Sequence, residues 1–587
     1  MGLMQRAVET YDNNRQLIGV YSEGSEPLAP VGHILTRADI EVTLNSSCEF
    51  LSARRLDKSE PKILIPVTEE SGGRSGTKAY QRPHPLCDAF KYYAAKENYY
   101  LPQLERWMSS EYSHPFLNVV YGYLTRNTLE SDITASIGKI SGDDFICWRI
   151  TGIDGEEPAC WKNQNLFSAF INYYLDSISS RKAAVCMIYG EPMPPAVQHP
   201  KGIVAINGNA KLISANDSLG FTYRGRFAEA DEACTVSYAA SQKAHNALRW
   251  LASEQGVREV SGNRIFICWN PRGVKIPKPM RPMRGANAEP VYVPSDYKAE
   301  LRNILYSFGH GDTIKDADEV ITAAFDAATT GRLALAYYNE NSMGVFLERL
   351  YEWDENCCWY NGKNGIQAPN LIRLIDCAYG TQRGNFLETD DRIQKQHLQR
   401  LLDCKINGGV FPADIVQGLV NRASDPNAYD ESIWRQIVYS ACAAMQKYFH
   451  DTKRGGNEMA WELSKNDRSF QYGRLLAVME RAEADYYRKT QESRQTNAIK
   501  FMSEYRQRPF YVFERINRAL HQAYLNRIDE WQANRYERLV SEIFQILGNF
   551  DESELDKPLD NIYLMGYELQ RNSFFDKTKT ENSKTEE

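Results

Sequence analysis

The pattern of apolar residues changes along the chain, and this change is the strongest constraint on the fold. Before residue 380, short apolar runs rich in β-branched and aromatic side chains alternate with amphipathic stretches, as in proteins that combine buried strands with helices. These runs occupy residues 61–67, 145–151, 264–269 and 332–338. After residue 380, apolar residues recur at helical spacing instead. The sequence therefore predicts an α+β protein, with a mixed α/β N-terminal and middle region followed by an all-α C-terminal helical bundle.

Helices are predicted in both regions. In the first region they cover residues 83–100, 163–175, 241–254 and 345–353. In the last region three apolar stripes predict helices, and the third stops at Gly548, a residue type that commonly ends helices. The stripes are Leu475, Leu476, Met479, Ala482 and Tyr486; Phe513, Ile516, Leu520 and Tyr524; and Leu539, Val540, Ile543, Phe544 and Leu547.

Length and composition shifts predict several domains. A chain of 587 residues is long enough for three or more. A proline-rich stretch follows the run at 264–269, and because proline fixes φ and lacks a backbone donor, this stretch is predicted to be an extended linker. The predicted segments are an N-terminal α/β domain at 1–260, a basic proline-rich linker at 261–290, a mixed α/β segment at 291–380 and a C-terminal helical bundle at 381–587.

Composition argues against a membrane or secreted protein. There is no apolar run of eighteen residues, and no apolar signal core follows the N-terminus. The 12 cysteines contain no CxxC pair, which favours a reduced compartment over a disulfide framework or a structural zinc site. We expect a cytoplasmic protein without a membrane partner.

The sequence contains no assembled set of catalytic residues. The motifs HExxH, GxSxG and GxxxxGK[ST] are absent, and the loop at 72–78 has the order Gly-Thr-Lys rather than the Gly-Lys-Thr of a phosphate loop. The pair His450 and Asp451 is a lone dipeptide, and the paired aspartates at 143–144 and 390–391 are typical of solvated turns. We therefore predict no enzyme activity, no catalytic residue, no metal and no cofactor.

The net charge of −7 argues against a protein that simply coats nucleic acid, so any binding must come from local basic clusters. The first cluster is the Gly/Ser-rich loop at 72–78, whose glycines would let the backbone approach a DNA groove closely. Its predicted contacts to the motif-bearing duplex are Arg74, Ser75, Gly76, Thr77, Lys78 and Arg82. A mobile surface loop is the alternative interpretation.

The second cluster lies in the proline-rich stretch, which carries cations and no acid between Arg264 and Arg284. Such a stretch attracts a polyanion, and each phosphate it neutralises steepens the salt dependence of binding. The predicted contacts are Arg272, Lys275, Lys278, Arg281 and Arg284. A solvated linker is the alternative.

The third cluster is a row of arginines at Arg474, Arg481 and Arg488. A spacing of seven residues is close to two helical turns, so the three residues line up roughly 100° round from the apolar stripe. Such a row could follow the phosphates of a single strand. An ordinary charged solvent face is the alternative.

A set of short segments spread over most of the chain points to a protein family. They are Arg74-Ser75-Gly76 with Pro85-Leu86-Cys87-Asp88; FICWRI at 145–150 with Pro158 and Trp161; CMIYGE at 186–191; FICW at 266–269; GRLALAYY at 331–338 with Phe346 and Leu347; YGRLLAV at 472–478; and LMGYELQR at 564–571. None is a catalytic signature. In this order, the chain resembles the large subunit of the type I-C CRISPR Cascade surveillance complex, the "Cas eight" C-subtype or Csd family.

The resemblance implies a non-catalytic subunit that sits with "Cas five"-type and "Cas seven"-type subunits on a CRISPR RNA. Such a subunit reads the protospacer-adjacent motif on double-stranded DNA, assists R-loop formation, holds the displaced strand and recruits a helicase–nuclease. The N-terminal domain is implied to read the motif and to dock on the "Cas five"-type subunit. The C-terminal helices resemble the small subunit, which can be an internal translation product, and Met459 and Met445 are its candidate starts here.

Two other function classes stay open. One is a metal-dependent nuclease or RNA-processing enzyme, which would cleave labelled RNA or DNA in the presence of Mg²⁺. The other is a pure protein scaffold, which would give no electrophoretic shift with DNA.

Overall fold

The computed structural model describes residues 2–74, 76–95, 97–204, 209–214, 235–258, 264–274, 276, 318–327, 331–361, 365–452 and 462–575, without the side chains of 257 and 258. The chain divides into two compact units. The first comprises Met1–Lys278 and Ala317–Ser342, and the second comprises Pro279–Asp316 and Met343–Glu587. The division differs from the predicted segments because the strand at 264–269 pairs with a strand at 319–326, which draws part of the predicted middle segment into the first unit.

The described helices of the first unit, in chain order, are α1 Leu3–Asn13, α2 Glu69–Gly72, α3 Phe90–Tyr93, α4 Tyr100–Met108, α5 Pro115–Leu124, α6 Leu129–Ile137, α7 Gln164–Ile178 and α8 Tyr238–Glu254. Its strands are β1 His33–Thr36, β2 Ile40–Asn45, β3 Phe50–Arg55, β4 Ile63–Pro66, β5 Asp88–Ala89, β6 Phe145–Thr151, β7 Ala184–Val185, β8 Pro192–Met193, β9 Val257–Arg258, β10 Arg264–Trp269, β11 Glu319–Asp326 and β12 Ala334–Ser342.

One sheet of the first unit has the strand order β3-β2-β6-β5, with β2 parallel to β6 and the outer strands antiparallel. Its two central strands are each buried over three consecutive residues, 40–42 in β2 and 146–148 in β6, and Val42 is paired with Trp148 in the register. Helices α4, α5 and α7 pack on this sheet with Trp107, Phe116 and Phe170, all fully buried. The sheet and these helices therefore form one continuous core.

A second sheet, with the order β9-β10-β11-β12, is antiparallel throughout. All six residues of β10 are buried, which explains the uninterrupted apolar run in the sequence. The helices α1 and α8 pack on this sheet, and the indole of Trp269 donates a hydrogen bond to the hydroxyl of Thr10 at 2.9 Å.

The described helices of the second unit are α9 Met343–Asn356, α10 Leu371–Tyr379, α11 Asp391–Asn407, α12 Ala413–Ala423, α13 Glu431–Asp451, α14 Arg468–Thr490, α15 Asn497–Lys500, α16 Met502–Gln507, α17 Pro509–Ala523, α18 Glu530–Leu547 and α19 Tyr563–Ser573. Two short hairpins accompany them, formed by β13 Trp359–Tyr360 with β14 Ile366–Gln367 and by β15 Thr381–Arg383 with β16 Phe386–Glu388.

Helix α14 is the centre of the C-terminal bundle. Asp467 caps its N-terminus by accepting a hydrogen bond from the backbone of Phe470 at 2.9 Å. Its neighbour α19 approaches so closely that a side chain on Gly473 would overlap the carbonyl oxygen of Tyr563. In the reciprocal contact, a side chain on Gly566 would overlap the carbonyl oxygen of Phe470. Two glycines therefore set the distance between these helices.

The structure confirms the α+β class and the helical C-terminal region. The strands predicted at 145–151 and 264–269 are β6 and β10 with the same bounds. The helix predicted at 83–100 is wrong, because this segment contains the short strand β5, the four-residue helix α3 and turns. The hairpin β15–β16 was also not expected beyond residue 380.

Candidate nucleic-acid interface

The predicted motif loop follows α2, whose N-terminus is capped by Thr68, with the amide of Ser71 donating to the Thr68 hydroxyl at 3.1 Å. Ser75 lies outside the described residues. Gly76 has φ +71°, in the left-handed region that favours glycine, and nothing lies within 4 Å of a Cβ built there. The loop then continues into a single turn of 3₁₀ helix at Ala79–Gln81.

Arg74 anchors this loop to the protein interior. Its Nη1 and Nη2 donate to the two carboxylate oxygens of Asp88 at 2.7 and 2.6 Å, and the Asp88 side chain is fully buried. The guanidinium also lies 4.0 Å from the ring centre of Tyr92 and donates to the carbonyl oxygen of Arg82 at 3.2 Å. The sequence predicted that Arg74 approaches DNA, but the structure commits its guanidinium to a buried carboxylate.

The exposed part of the loop presents two other cations. Lys78 and Arg82 are both exposed, and neither side chain forms an ion pair with a described residue. Gly76 and Thr77 are exposed beside them. Tyr80 is 42% exposed, and its ring packs edge-on against Tyr99 with centroids 5.7 Å apart. Of the described loop residues, those from Gly76 to Arg82 are therefore the ones placed to meet a ligand.

The basic proline-rich stretch is described only at its beginning. Arg272 forms an ion pair with Asp318 at 2.9 Å while its side chain stays 43% exposed. The other predicted contacts, Lys275, Lys278, Arg281 and Arg284, lie outside the described residues.

The predicted arginine row on α14 is only partly a surface feature. Arg474 is buried, and its guanidinium donates to Gln570 at 2.9 Å and to the carbonyl oxygen of Leu463 at 2.7 Å. Burial lowers the pKa of Arg474 to about 10. Helical spacing predicts this arginine beside the apolar stripe, but α19 covers that side of α14 as well, so the guanidinium donates to acceptors of the protein itself.

The other two arginines of the row share one carboxylate. Arg481 Nε lies 3.1 Å and Arg488 Nη1 lies 2.8 Å from Oδ1 of Asp485, and the other carboxylate oxygen, Oδ2, accepts a hydrogen bond from the hydroxyl of Tyr536. The Arg481 side chain is 20% exposed and that of Arg488 is 63% exposed. Arg488 is therefore the member of the row with most of its side chain in solvent.

The structure also brings together cations that the sequence did not single out. Lys201 and Arg249 line a cavity of the first unit whose wall includes Gly72 and Gly73, directly before Arg74, and Lys211 is paired with Lys201 in a β-bridge. The three basic residues are spread over almost 50 positions, with no cluster of basic letters around them. Their proximity follows from strand pairing and from the position of α8, so no local pattern could have revealed it.

Within the described ranges, no three or more histidine, cysteine, aspartate or glutamate side chains gather as metal ligands would. Nor do these ranges contain a helix with the length and apolar character needed to cross a bilayer.

Comparison with known proteins identifies a family for this chain. No curated protein matches the chain. The family model described as "CRISPR-associated protein (Cas_Csd1)" matches residues 8–575, which is nearly the whole chain. That match covers all the segments that carried the resemblance in the sequence, and the chain belongs to the Csd1 family of CRISPR-associated proteins, the large subunits of type I-C complexes.

Proposed function

We propose that the chain is the non-catalytic large subunit of a type I-C Cascade complex and that it contacts the protospacer-adjacent motif through residues 76–82. The family supports the role of a Cascade large subunit acting with other Cas proteins and CRISPR RNA. The proposed motif contact rests on one observation: Lys78 and Arg82 are two exposed cations on the same loop. The base of this loop is fixed by the ion pair between Arg74 and the buried Asp88.

A loop with a rigid base and two cations at its tip that form no ion pair with described residues is suited to recognition of a short duplex motif. The anchor limits the conformations of the loop, so less entropy is lost when the tip binds. Lys78 and Arg82 can reach phosphates or the acceptor edges of guanine, and one good base contact discriminates by about 1–3 kcal/mol. Guide pairing supplies the remaining specificity, so few protein contacts suffice.

In this proposal the displaced strand contacts those of the other predicted cations that the structure leaves exposed, and each is considered within its own unit. Arg488 and Arg272 keep 63% and 43% of their side chains exposed and would contact phosphates rather than bases. Both are held by carboxylates, so their contribution to binding is smaller than that of an unpaired cation. Arg474 is not part of this contact surface because it is buried.

The wider assembly follows the family. The partners would be "Cas five"-type and "Cas seven"-type subunits, a CRISPR RNA, the target duplex and a helicase–nuclease that supplies the cleavage this subunit lacks. A separately translated small subunit would begin near Met459 or Met445. Met445 lies buried in α13, and Met459 is outside the described residues.

The test compares two double variants in the reconstituted complex. Lys78→Ala/Arg82→Ala should lower the preference for a motif-bearing duplex over a scrambled one by about 5- to 150-fold. The control is Lys139→Ala/Lys182→Ala, which removes the same charge from two other exposed lysines of the same unit. Because all four side chains are exposed, thermal unfolding should not change.

Equal discrimination by both double variants would refute the motif contact. Cleavage of labelled DNA or RNA by the purified chain with Mg²⁺ would refute the non-catalytic role. Assembly without any contact to DNA would favour the scaffold class instead.

A further inference from the structure

The first unit contains a cavity of about 410 Å³ that is lined by basic residues among others. Its wall combines the end of α2 with the segment at 198–203 and one face of α8. The volume lies in the range of pockets that bind small ligands or single groups of larger ones.

Two lysines lie side by side here: Lys201 lines the cavity, and Lys211 is its partner in a β-bridge. Lys201 and Lys211 are directly paired in an antiparallel bridge, and the backbone amide of Gly202 donates to the carbonyl oxygen of Ala210 at 2.9 Å. Residues paired in this way project their side chains to the same face, and like charges there are destabilising. Both lysines are half-buried, and the pKa of Lys201 is lowered by burial and by the nearby charges of Lys211 and Arg74.

A third cation lies on α8. Arg249 lines the cavity and donates to the carbonyl oxygen of Lys201 at 2.6 Å and to the amide oxygen of Asn246 at 3.1 Å. Both acceptors are neutral. Burial lowers the pKa of Arg249 to about 10. The guanidinium therefore stays charged at neutral pH without a carboxylate among the described residues to balance it.

The carboxylates that line the cavity are already paired elsewhere. Glu26 accepts from Lys62 at 2.5 Å. Glu69 accepts from Arg181 at 2.6 Å and from the backbone amides of residues 197 and 198. Among the described residues, no carboxylate therefore pairs with Lys201, Lys211 or Arg249.

A buried amide also lines this cavity. Gln242 is only 5% exposed, yet its Oε1 accepts no hydrogen bond from a described residue. Buried polar side chains are almost always hydrogen-bonded, and a ligand that supplies a partner explains the exception. Its amide can offer either a donor or an acceptor.

We propose that this cavity binds a phosphate group, held by Lys201, Lys211 and Arg249 with Gln242 beside it. A phosphate oxygen accepts from lysine and arginine in short, charge-assisted hydrogen bonds. The phosphate is either part of a single nucleic-acid strand or a free phosphate. The site uses different residues from the motif loop, so it stands or falls independently of the motif contact proposed above.

The test uses Lys201→Met/Lys211→Met in the full chain, with Lys139→Met/Lys182→Met as the matched control. The probes are inorganic phosphate and a mixed-sequence single-stranded oligonucleotide, at constant ionic strength. Binding by calorimetry and the shift of the unfolding temperature should both weaken in the cavity variant, with affinity about tenfold lower or more. The control and Lys78→Ala/Arg82→Ala should keep the response to inorganic phosphate.

Without a probe, the single variant Lys211→Met should be at least as stable as the wild type, because its like-charge repulsion with Lys201 is gone. Lys201 is left in place for this comparison because its ammonium group donates to the carbonyl oxygen of Arg74 at 3.1 Å. Lysines with a purely structural role would give the opposite result. If the cavity variant loses affinity only for the oligonucleotide, the ligand is a nucleic-acid strand. If it loses affinity only for inorganic phosphate, the ligand is a free phosphate. No response in the wild type, or equal responses in the wild type and the cavity variant, would overturn the site.

Discussion

Replacing Arg74 by alanine separates the anchor role of this residue from a direct role in reading DNA. The change leaves the Asp88 carboxylate fully buried, and its remaining donors among the described residues are the backbone amides of His84 and Ala89, at 2.7 and 2.8 Å. Removing one partner of a buried ion pair costs about 3–5 kcal/mol. Because two donors remain and Arg74 itself is 15% exposed, we expect a value near the lower limit, about 3 kcal/mol.

Hydrogen exchange of the backbone amides at residues 84–93 measures this loss of stability locally. A local measurement is needed because the chain has two units that need not unfold together. A loss of about 3 kcal/mol corresponds to exchange about 100-fold faster. Arg82→Ala is the control, because its exposed side chain has no ion pair among the described residues, and should change the exchange little. Adding Asp88→Asn to Arg74→Ala should recover part of the loss, since no uncompensated charge then remains buried.

The opposite outcome would refute this reasoning. If Arg74→Ala leaves exchange at residues 84–93 unchanged and removes only the preference for the motif, Arg74 reads DNA as the sequence pattern predicted. Faster exchange with a loss of both motif and scrambled binding supports the anchor.

Two further predictions concern stability. Gly473→Ala or Gly566→Ala should destabilise the second unit by about 1–3 kcal/mol in urea unfolding, because each new Cβ would overlap a backbone carbonyl of the facing helix. The control is Gly418→Ala in α12, where the nearest atom to the new Cβ lies 3.4 Å away, and this change should be neutral or stabilising. His33 is buried with its pKa lowered to about 4 by burial, so the unfolded chain takes up a proton below pH 6.5 that the folded chain refuses. Stability should fall as the pH drops from 6.5 towards 4, by up to about 1.4 kcal/mol per pH unit, and His33→Leu should reduce this slope in unfolding scans between pH 7 and 5.

The sequence predicted elements best where burial is continuous. Strand β10 is buried along its whole length and its bounds were predicted correctly, as were those of β6. The segment at 83–100 was misassigned because its aromatic residues pack into the core without forming one helix, and α3 spans only Phe90–Tyr93. Apolar content alone does not distinguish these cases, since tertiary packing decides the backbone there.

The candidate site shows the same limit for charged residues. Arg74 and Lys78 lie four residues apart in one basic loop, yet one is paired with a buried carboxylate and the other is exposed. The difference depends on Asp88, whose position is fixed by the pairing of β5 with β6. Likewise, Lys201 and Lys211 are neighbours only because the chain folds back between them. The sequence shows how many cations a segment contains, but only the fold shows which of them are paired with carboxylates.

That distinction gives a physical criterion for choosing among the basic residues of a protein whose net charge is −7. A cation paired with a buried carboxylate, such as Arg74, contributes to stability, and its loss should weaken binding only through the fold. A cation near like charge with no carboxylate partner among the described residues, such as Lys211, lowers the stability of the free protein, so its removal should stabilise the fold while it weakens binding. Opposite signs in these two measurements therefore identify a binding residue, and equal signs identify a structural one.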